Sequence, residues 1–347
     1  DAWLHSAGAS LWIDGKHIST ISEERLSREK YDGSFPNLSI DYVLEDCDLV
    51  RDDIDIVTYT QNVHSPTRLD NIQTILKREF PNSEVRFVDH HQAHACATFF
   101  TSPFERASIL SFDGSGNSYP VCSDAVGFET GLYAIGDKTD GLCVMYHSIN
   151  GLKKEMTFNL GQVYNNISRW CYTQMEQEAA TKIDNMYVFM ETAPGKIMGL
   201  AAYGDKTKVD LPNLFGVNDD RFYFPYVYDK HMPSDKEMGK YDAEDIAAWC
   251  QGQFEDTVVE FFKILNHKEK YLCIGGGCGL NVLTNARLLN EGLFEDIHVF
   301  PAANDSGLCF GGAIYEVFKE EKELIVPDYL GFLGREYDEK DIREALK

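Results

Sequence analysis

Positive charge is scarce in this 347-residue chain, where 32 Lys and Arg face 56 Asp and Glu for a formal net charge of −24. A surface of that sign repels polyanions, which argues against nucleic acid as the main partner and favours a neutral or cationic one. Most of that charge serves as solvated surface. Long apolar runs are missing too. No stretch is long enough to span a bilayer and no basic-then-apolar signal segment is present, so no membrane partner is expected and the protein reads as cytoplasmic. The nine cysteines are odd in number and scattered, and no C-x-x-C occurs. Cys273 and Cys278 are the nearest pair, but they flank a Gly-rich turn without a matching second pair, which argues against a zinc knuckle. Reduced, mostly buried thiols are expected instead.

What is present is an ordinary globular composition, 44% hydrophobic and 25% charged. The length suffices for a large core, arranged as two domains in close contact. The informative stretch runs from Phe87 to Asn117. Val85–Val88 favours a strand, Asp89 is placed to cap a helix, and the Ala-rich HHQAHACATFF that follows has the character of a buried helix. His90 and His94 then lie one turn apart on one face, where both imidazoles can reach the same ion. ASILSF predicts a strand that delivers Asp113 into the turn Asp113-Gly114-Ser115-Gly116-Asn117, a good position for a third ligand. Two His with one or two carboxylates suit ferrous iron, manganese or zinc. A lone H-x-x-x-H is more often a pair of hydrogen-bonded core histidines, and the absence of Glu after the first His removes the metalloprotease reading.

The rest of the chain alternates strands and helices. Ala9–Ile13 and Ile18–Ile21 predict a hairpin about Asp14-Gly15, in a pattern that the chain enters midway, as if a first strand were missing. A helical segment over Leu38–Leu49, a strand at Ile54–Tyr59 and a helix over Thr67–Phe80 lead into the central stretch. Strands follow at Ala107–Phe112, Gly127–Ile135 and Leu142–Ser148, then helical spacing over Leu160–Met175. Lys196 stands in the Gly-flanked turn Pro194-Gly195-Lys196-Ile197-Met198-Gly199, a natural phosphate contact, although a surface lysine is the commoner explanation. Residues 205–240 read as a long irregular segment with Phe222, Tyr223, Phe224, Tyr226 and Tyr228, either a lid or an edge hairpin. Ala243–Leu265 predicts a long amphipathic helix and Tyr271–Ile274 a strand. The glycines of Gly275-Gly276-Gly277-Cys278-Gly279-Leu280-Asn281 then permit close backbone approach to a ligand at a helix start. A last strand, Ile297–Phe300, precedes Asn304-Asp305-Ser306-Gly307 and helix Leu308–Lys319, where Asp305 reads most simply as an N-cap.

Taken together, six motifs resemble one family. They are HSAGASL with DGK and SEERLSR, HHQAHA at 90–95, SFDGSG at 111–116, GKIMGLAAYG at 195–204, GGGCGLN at 275–281 and NDSG at 304–307, in the family's order over nearly the whole chain. The chain is identified on these as similar to the O-carbamoyltransferases of the tobramycin, cephalosporin and nodulation protein U type. The resemblance implies an α/β, actin-like (ASKHA) fold of duplicated ribonuclease-H-like domains with a central cleft. The expected boundaries are 1–106, 107–325 and a remainder, 326–347, resembling the entry to a YrdC-like domain.

The resemblance also implies roles. His90, His94, Asp113 and Asp305 would hold a divalent metal, Fe²⁺ first, with Mn²⁺ or Zn²⁺ as alternatives. His5 would be the general base, and Ser6 stands where the family usually has Asp. Lys196, Gly199, Gly276, Gly277 and Asn281 would line the nucleotide. The implied reaction is transfer of a carbamoyl group from carbamoyladenylate, made from carbamoyl phosphate and ATP, to a hydroxyl of a small acceptor in secondary-metabolite biosynthesis. The expectation is that this chain alone does not make carbamoyladenylate and relies on a YrdC-like domain in cis or in trans. Competing readings are a tRNA threonylcarbamoyl-transferase, an actin-like kinase and a non-catalytic nucleotide-binding scaffold of the same fold.

Overall fold

The computed structural model of the protein describes all residues except 1–4, 61–65, 123–124, 151–156, 159, 176–185, 216–226, 229–231, 321–322, 332 and 336. The chain opens with strands β1 (Gly8–Ile13) and β2 (Lys16–Ser22), which pair antiparallel across the Asp14-Gly15 turn. The short helix α1 (Glu23–Ser27) and helix α2 (Asn37–Glu45) follow. Glu23, in the charged run after β2, is buried and accepts from Leu38 N, Ser39 N and Ser39 Oγ. Its carboxylate thus satisfies the free amides at the start of α2, where Pro36 has no side chain to do so. Strand β3 (Ile56–Thr60), helix α3 (Pro66–Glu79), strand β4 (Glu84–Val88) and helix α4 (His90–Phe100) complete the first half, with β3 and β4 parallel. Among the described residues the two pairs stay separate two-stranded sheets, with a groove of about 450 Å³ bounded by β1, β3 and α2 between them.

The second half is built on β5 (Arg106–Phe112), followed by β6 (Ser118–Cys122), β7 (Ala125–Asp137), β8 (Gly141–Asn150) and β9 (Thr157–Phe158). Helices α5 (Leu160–Met175) and α6 (Met186–Leu200), strand β10 (Val227–Tyr228) and helices α7 (Asp235–Met238) and α8 (Ala243–Ile264) come next. Strand β11 (Tyr271–Gly275), helix α9 (Val282–Asn290), strand β12 (Asp296–Val299), helix α10 (Leu308–Lys319) and helix α11 (Glu339–Ala345) close the chain. The sheet runs β8-β7-β5-β11-β12, with β6 added on β7. Three antiparallel strands thus continue into two parallel ones, the arrangement of a ribonuclease-H-like unit.

Two departures from the sequence reading have local causes. Lys196 is not in a turn, because α6 continues through Pro194 and Gly195 to Leu200. Ala193, Ile197 and Leu200 bury one face of α6 in the core shared with α5 and α8, and that packing overrides the breakers. Asp89 sits at the N-cap position of α4 without capping it; its Oδ1 instead accepts from Asn117 Nδ2 at 2.6 Å. In the irregular region, β10 pairs with β9 and 206–208 forms a 3₁₀ turn, while Phe222, Tyr223, Phe224 and Tyr226 lie outside the described residues.

Helix α4 is buried on all sides except at Gln92. It packs on the large sheet through β5, β11 and β12, while α10 packs on α4, β3 and β1. These two helices therefore join the halves and bring their N-termini to the cleft.

Candidate metal centre and cleft

Four side chains from three segments meet at the N-terminus of α4. His90 and His94 are one turn apart on α4, Asp113 follows the end of β5, and Asp305 begins a 3₁₀ turn that runs into α10. His90 Nε2 and His94 Nε2 are 3.2 Å apart. Asp305 Oδ1 is 3.6 Å from the first and 3.4 Å from the second, and Asp113 Oδ2 is 3.5 Å from His94 Nε2. All four candidate ligand atoms lie within 4.8 Å of one another.

This donor set fits a divalent ion on two counts. Ligand atoms each about 2.1 Å from a common ion are separated by about 3.0–3.4 Å, close to the spacings between these atoms. Two imidazole nitrogens also face each other in a fully buried place, an arrangement that a shared cation satisfies better than a shared proton. A divalent metal with nitrogen and oxygen ligands is the group this chemistry selects.

Backbone amides hold the Asp113 carboxylate in place. Asp113 Oδ2 accepts from Gly277 N at 2.8 Å and its Oδ1 from Gly114 N at 2.5 Å, so the β5 turn is tied to the Gly-rich loop after β11. Gly276 makes that approach possible. Its φ is +81°, and a Cβ there would lie 2.2 Å from the carbonyl oxygen of Phe112.

Burial alone would lower the His94 pKa, but the Asp113 and Asp305 carboxylates beside it hold it up at about 9. Burial pushes His90 down from 6.5, against the pull of Asp305. Asp305 is driven up by burial yet held well below the usual carboxylate range by His90, His94 and His5. In the metal-free centre the two carboxylates thus favour the protonated form of His94.

A cleft of about 490 Å³ opens beside these groups. His5, Asp113, Gly277, Asn281 and Asp305 all line it, as do Tyr31, Asn165 and Asn166, which the sequence reading did not single out. His5 Nε2 is 3.6 Å from Asp305 Oδ2, and His5 Nδ1 is 3.3 Å from Ser6 Oγ. Asp305 thus offers one oxygen to the histidine pair and the other to His5. Both Ser6 and Tyr31 have positive φ, 59° and 56°, a left-handed backbone that is uncommon for residues with side chains.

The remaining candidates are placed differently. Asn281 is buried, caps α9 through Thr284 N and pairs with Gln251. Gly276 lies directly behind Gly277 in the loop. Lys196 Nζ lies 2.9 Å from the Tyr172 hydroxyl and 4.4 Å from its ring centroid, and neither Lys196 nor Gly199 is among the residues lining the cleft. His91, Ser111 and Glu129, buried around the histidine pair, were missed because no spacing rule marks a core His, Ser or Glu. The doubled His in HHQAHA was their one visible signal. Among the described residues eight cysteines are free, and no helix is long and apolar enough to cross a membrane.

Comparison with known proteins gives three findings. A family model described as carbamoyltransferase N-terminus matches residues 58–314. Nodulation protein NolNO of Sinorhizobium fredii is 29% identical over 359 residues, covering 90% of this chain and 46% of that protein. An uncharacterised Synechocystis protein, sll1178, is 25% identical over 410 residues, covering 100% of this chain and 62% of its own length. The chain thus spans about half to three fifths of the curated relatives it matches. Among solved structures, HypF of T. kodakarensis superposes with a TM-score of 0.51 at 12% identity, over 95% of this chain and 48% of that one. At that identity the likeness is one of fold, and the fold is the actin-like, duplicated ribonuclease-H-like one.

Proposed function

The chain belongs to the carbamoyltransferase N-terminus family, and on that premise we propose that it transfers a carbamoyl group from carbamoyladenylate to a hydroxyl of a small acceptor, at a divalent metal held by His90, His94, Asp113 and Asp305. The observation that carries this reading is the convergence of those four ligand atoms beside the cleft that His5 also lines. Ferrous iron fits the two-His, two-carboxylate set first, and manganese or zinc would also be accepted. An ion held by His90, His94, Asp113 and Asp305 would supply positive charge to offset negative charge that develops on the donor.

The chain's own residues handle the proton and the geometry. His5 takes the acceptor proton at Nε2 as the acceptor oxygen bonds to the carbamoyl carbon. The bond from that carbon to the phosphate oxygen breaks, and AMP leaves. Ser6 Oγ, at Nδ1, holds the ring, and Asp305 Oδ2, facing Nε2, stabilises the imidazolium that forms. Gly277, with Gly276 behind it, lets the backbone approach the nucleotide beside Asn281, while Lys196 and Gly199 lie outside the cleft lining and would reach it only from α6. Carbamoyladenylate itself comes from carbamoyl phosphate and ATP on a YrdC-like domain, in cis or in trans, and the whole reaction is cytoplasmic.

The test supplies carbamoyladenylate to metal-loaded protein with a panel of hydroxylated acceptors and follows AMP and O-carbamoyl product by mass spectrometry. AMP release should depend on both acceptor and metal, and His5→Gln should lower kcat about 10² to 10⁴-fold. AMP release no faster than in protein-free buffer, with metal bound, would reject the reading.

A further inference from the structure

Behind the four candidate ligands lies a second layer of polar groups that the proposed reaction does not use. His91 is fully buried, with its ring 5.1 Å from that of His90 and edge-on to it. Its Nδ1 lies 2.8 Å from Ser111 Oγ. Ser111 is itself fully buried on β5, two residues before Asp113. The opposite nitrogen, His91 Nε2, is buried without a hydrogen-bond partner, and so is Glu129 Oε2 on β7.

These two orphans face one small space. A Cβ built on Gly116 would lie 2.8 Å from His91 Cδ2, the carbon bonded to Nε2, and 3.1 Å from Glu129 Oε2. Any side chain at 116 would stand between them, and glycine keeps the space open. Glu129 is anchored from the other side, with Oε1 3.1 Å from His147 Nδ1 on β8 and its backbone paired with Gly116 and Asn117. A buried carboxylate oxygen and a buried ring nitrogen that each lack a partner are costly as they stand, and one bridging water satisfies both.

Resting on the metal reading above, we propose that His91 and Glu129 are positioning residues for that centre: His91 Nε2–H donates to a bridging water that in turn donates to Glu129 Oε2, while Ser111 Oγ–H donates to Nδ1. So locked, His91 does not ligate; it braces the His90 ring and ties the first turn of α4 to β5 just ahead of Asp113. The distance between the histidine pair and Asp113 is then set by this bracket. Groups that orient ligands in this way contribute to metal affinity without touching the ion.

The experiment titrates the full chain with Co²⁺ and reads affinity and the visible ligand-field spectrum. The variants are His91→Phe and Glu129→Gln, with Ile167→Val in the α5 core as a control for loss of stability. Each variant that folds should bind Co²⁺ about 10 to 100-fold more weakly than the parent, with a shifted spectrum, while the control keeps the parent's affinity and spectrum. Parent-like Co²⁺ affinity and spectrum in folded Glu129→Gln or His91→Phe would overturn the proposal, since a merely structural role moves only the melting temperature. A parent that takes up no Co²⁺ would remove the metal reading itself, and this proposal with it.

Discussion

Asp305 Oδ1 sits 3.4 Å from His94 Nε2, so the segment leading into α10 meets the middle of α4 at one pair of buried atoms. Asp305→Asn removes the carboxylate that faces both histidines and His5. The variant should lose on the order of 3 kcal/mol of stability in the metal-free protein, because it strips a buried cation of a partner. Its divalent-metal affinity should fall by at least about 100-fold. Calorimetric titration and urea unfolding measure the two losses, and an unchanged affinity would take Asp305 out of the ligand set.

The same pair predicts opposite pH trends for stability and for metal uptake. His94 has a folded pKa of about 9 against an ordinary 6.5, so its stabilising charge is complete below 6.5 and is lost as pH rises through about 9. His90, lowered by burial, and Asp305, held down by its histidines, instead weaken the fold as pH falls toward the acid range. Metal-free protein should therefore melt at a lower temperature at pH 9.5 than at pH 7. Metal affinity should rise by about one log unit per pH unit from pH 7 and level off as pH passes about 9, since binding must displace the His94 proton. Melting curves and metal titrations across this range check both signs.

Much of this was legible in the sequence because local rules and packing agreed. Leu160–Met175 and Leu308–Lys319 are helices with the bounds their apolar spacing predicts. His90 and His94 share a helix face, and Asp113 follows its strand. Asp305 needed the family resemblance, since an Asp before a helix reads as a cap on local grounds. What stayed hidden depended on tertiary contact. Burial of Ile197 and Leu200 carries α6 past Pro194, and Asp89 gives up its capping role to bind Asn117. The contact of His91 with Ser111 joins α4 to β5 through a hydrogen bond that no periodicity encodes.

Gly276→Ala should be disruptive out of proportion to its size. The added methyl meets the Phe112 carbonyl oxygen at 2.2 Å, and the φ of +81° is itself unfavourable for alanine. Together these should cost on the order of 3 kcal/mol in urea unfolding and displace Gly277 N from Asp113. A loss within about 0.5 kcal/mol would show that the loop relaxes freely.

Two proposed nucleotide contacts separate by what they do for the fold. Asn281→Ala removes the cap on α9 and a partner of Gln251, so it should cost about 1–2 kcal/mol whether or not AMP is present. Lys196→Met should change stability by less than about 1 kcal/mol while lowering AMP affinity about 10-fold. Equal AMP affinity in parent and Lys196→Met would take that lysine out of the nucleotide site.

The central claim is that His90, His94, Asp113 and Asp305 hold one divalent metal. Its most direct test is the metal content of anaerobically purified, iron-loaded protein beside His90→Ala, His94→Ala and Asp113→Ala. The account predicts about one equivalent per chain in the parent and near zero in each variant. A folded parent that binds no iron, manganese or zinc, or variants that bind as much as the parent, would contradict it.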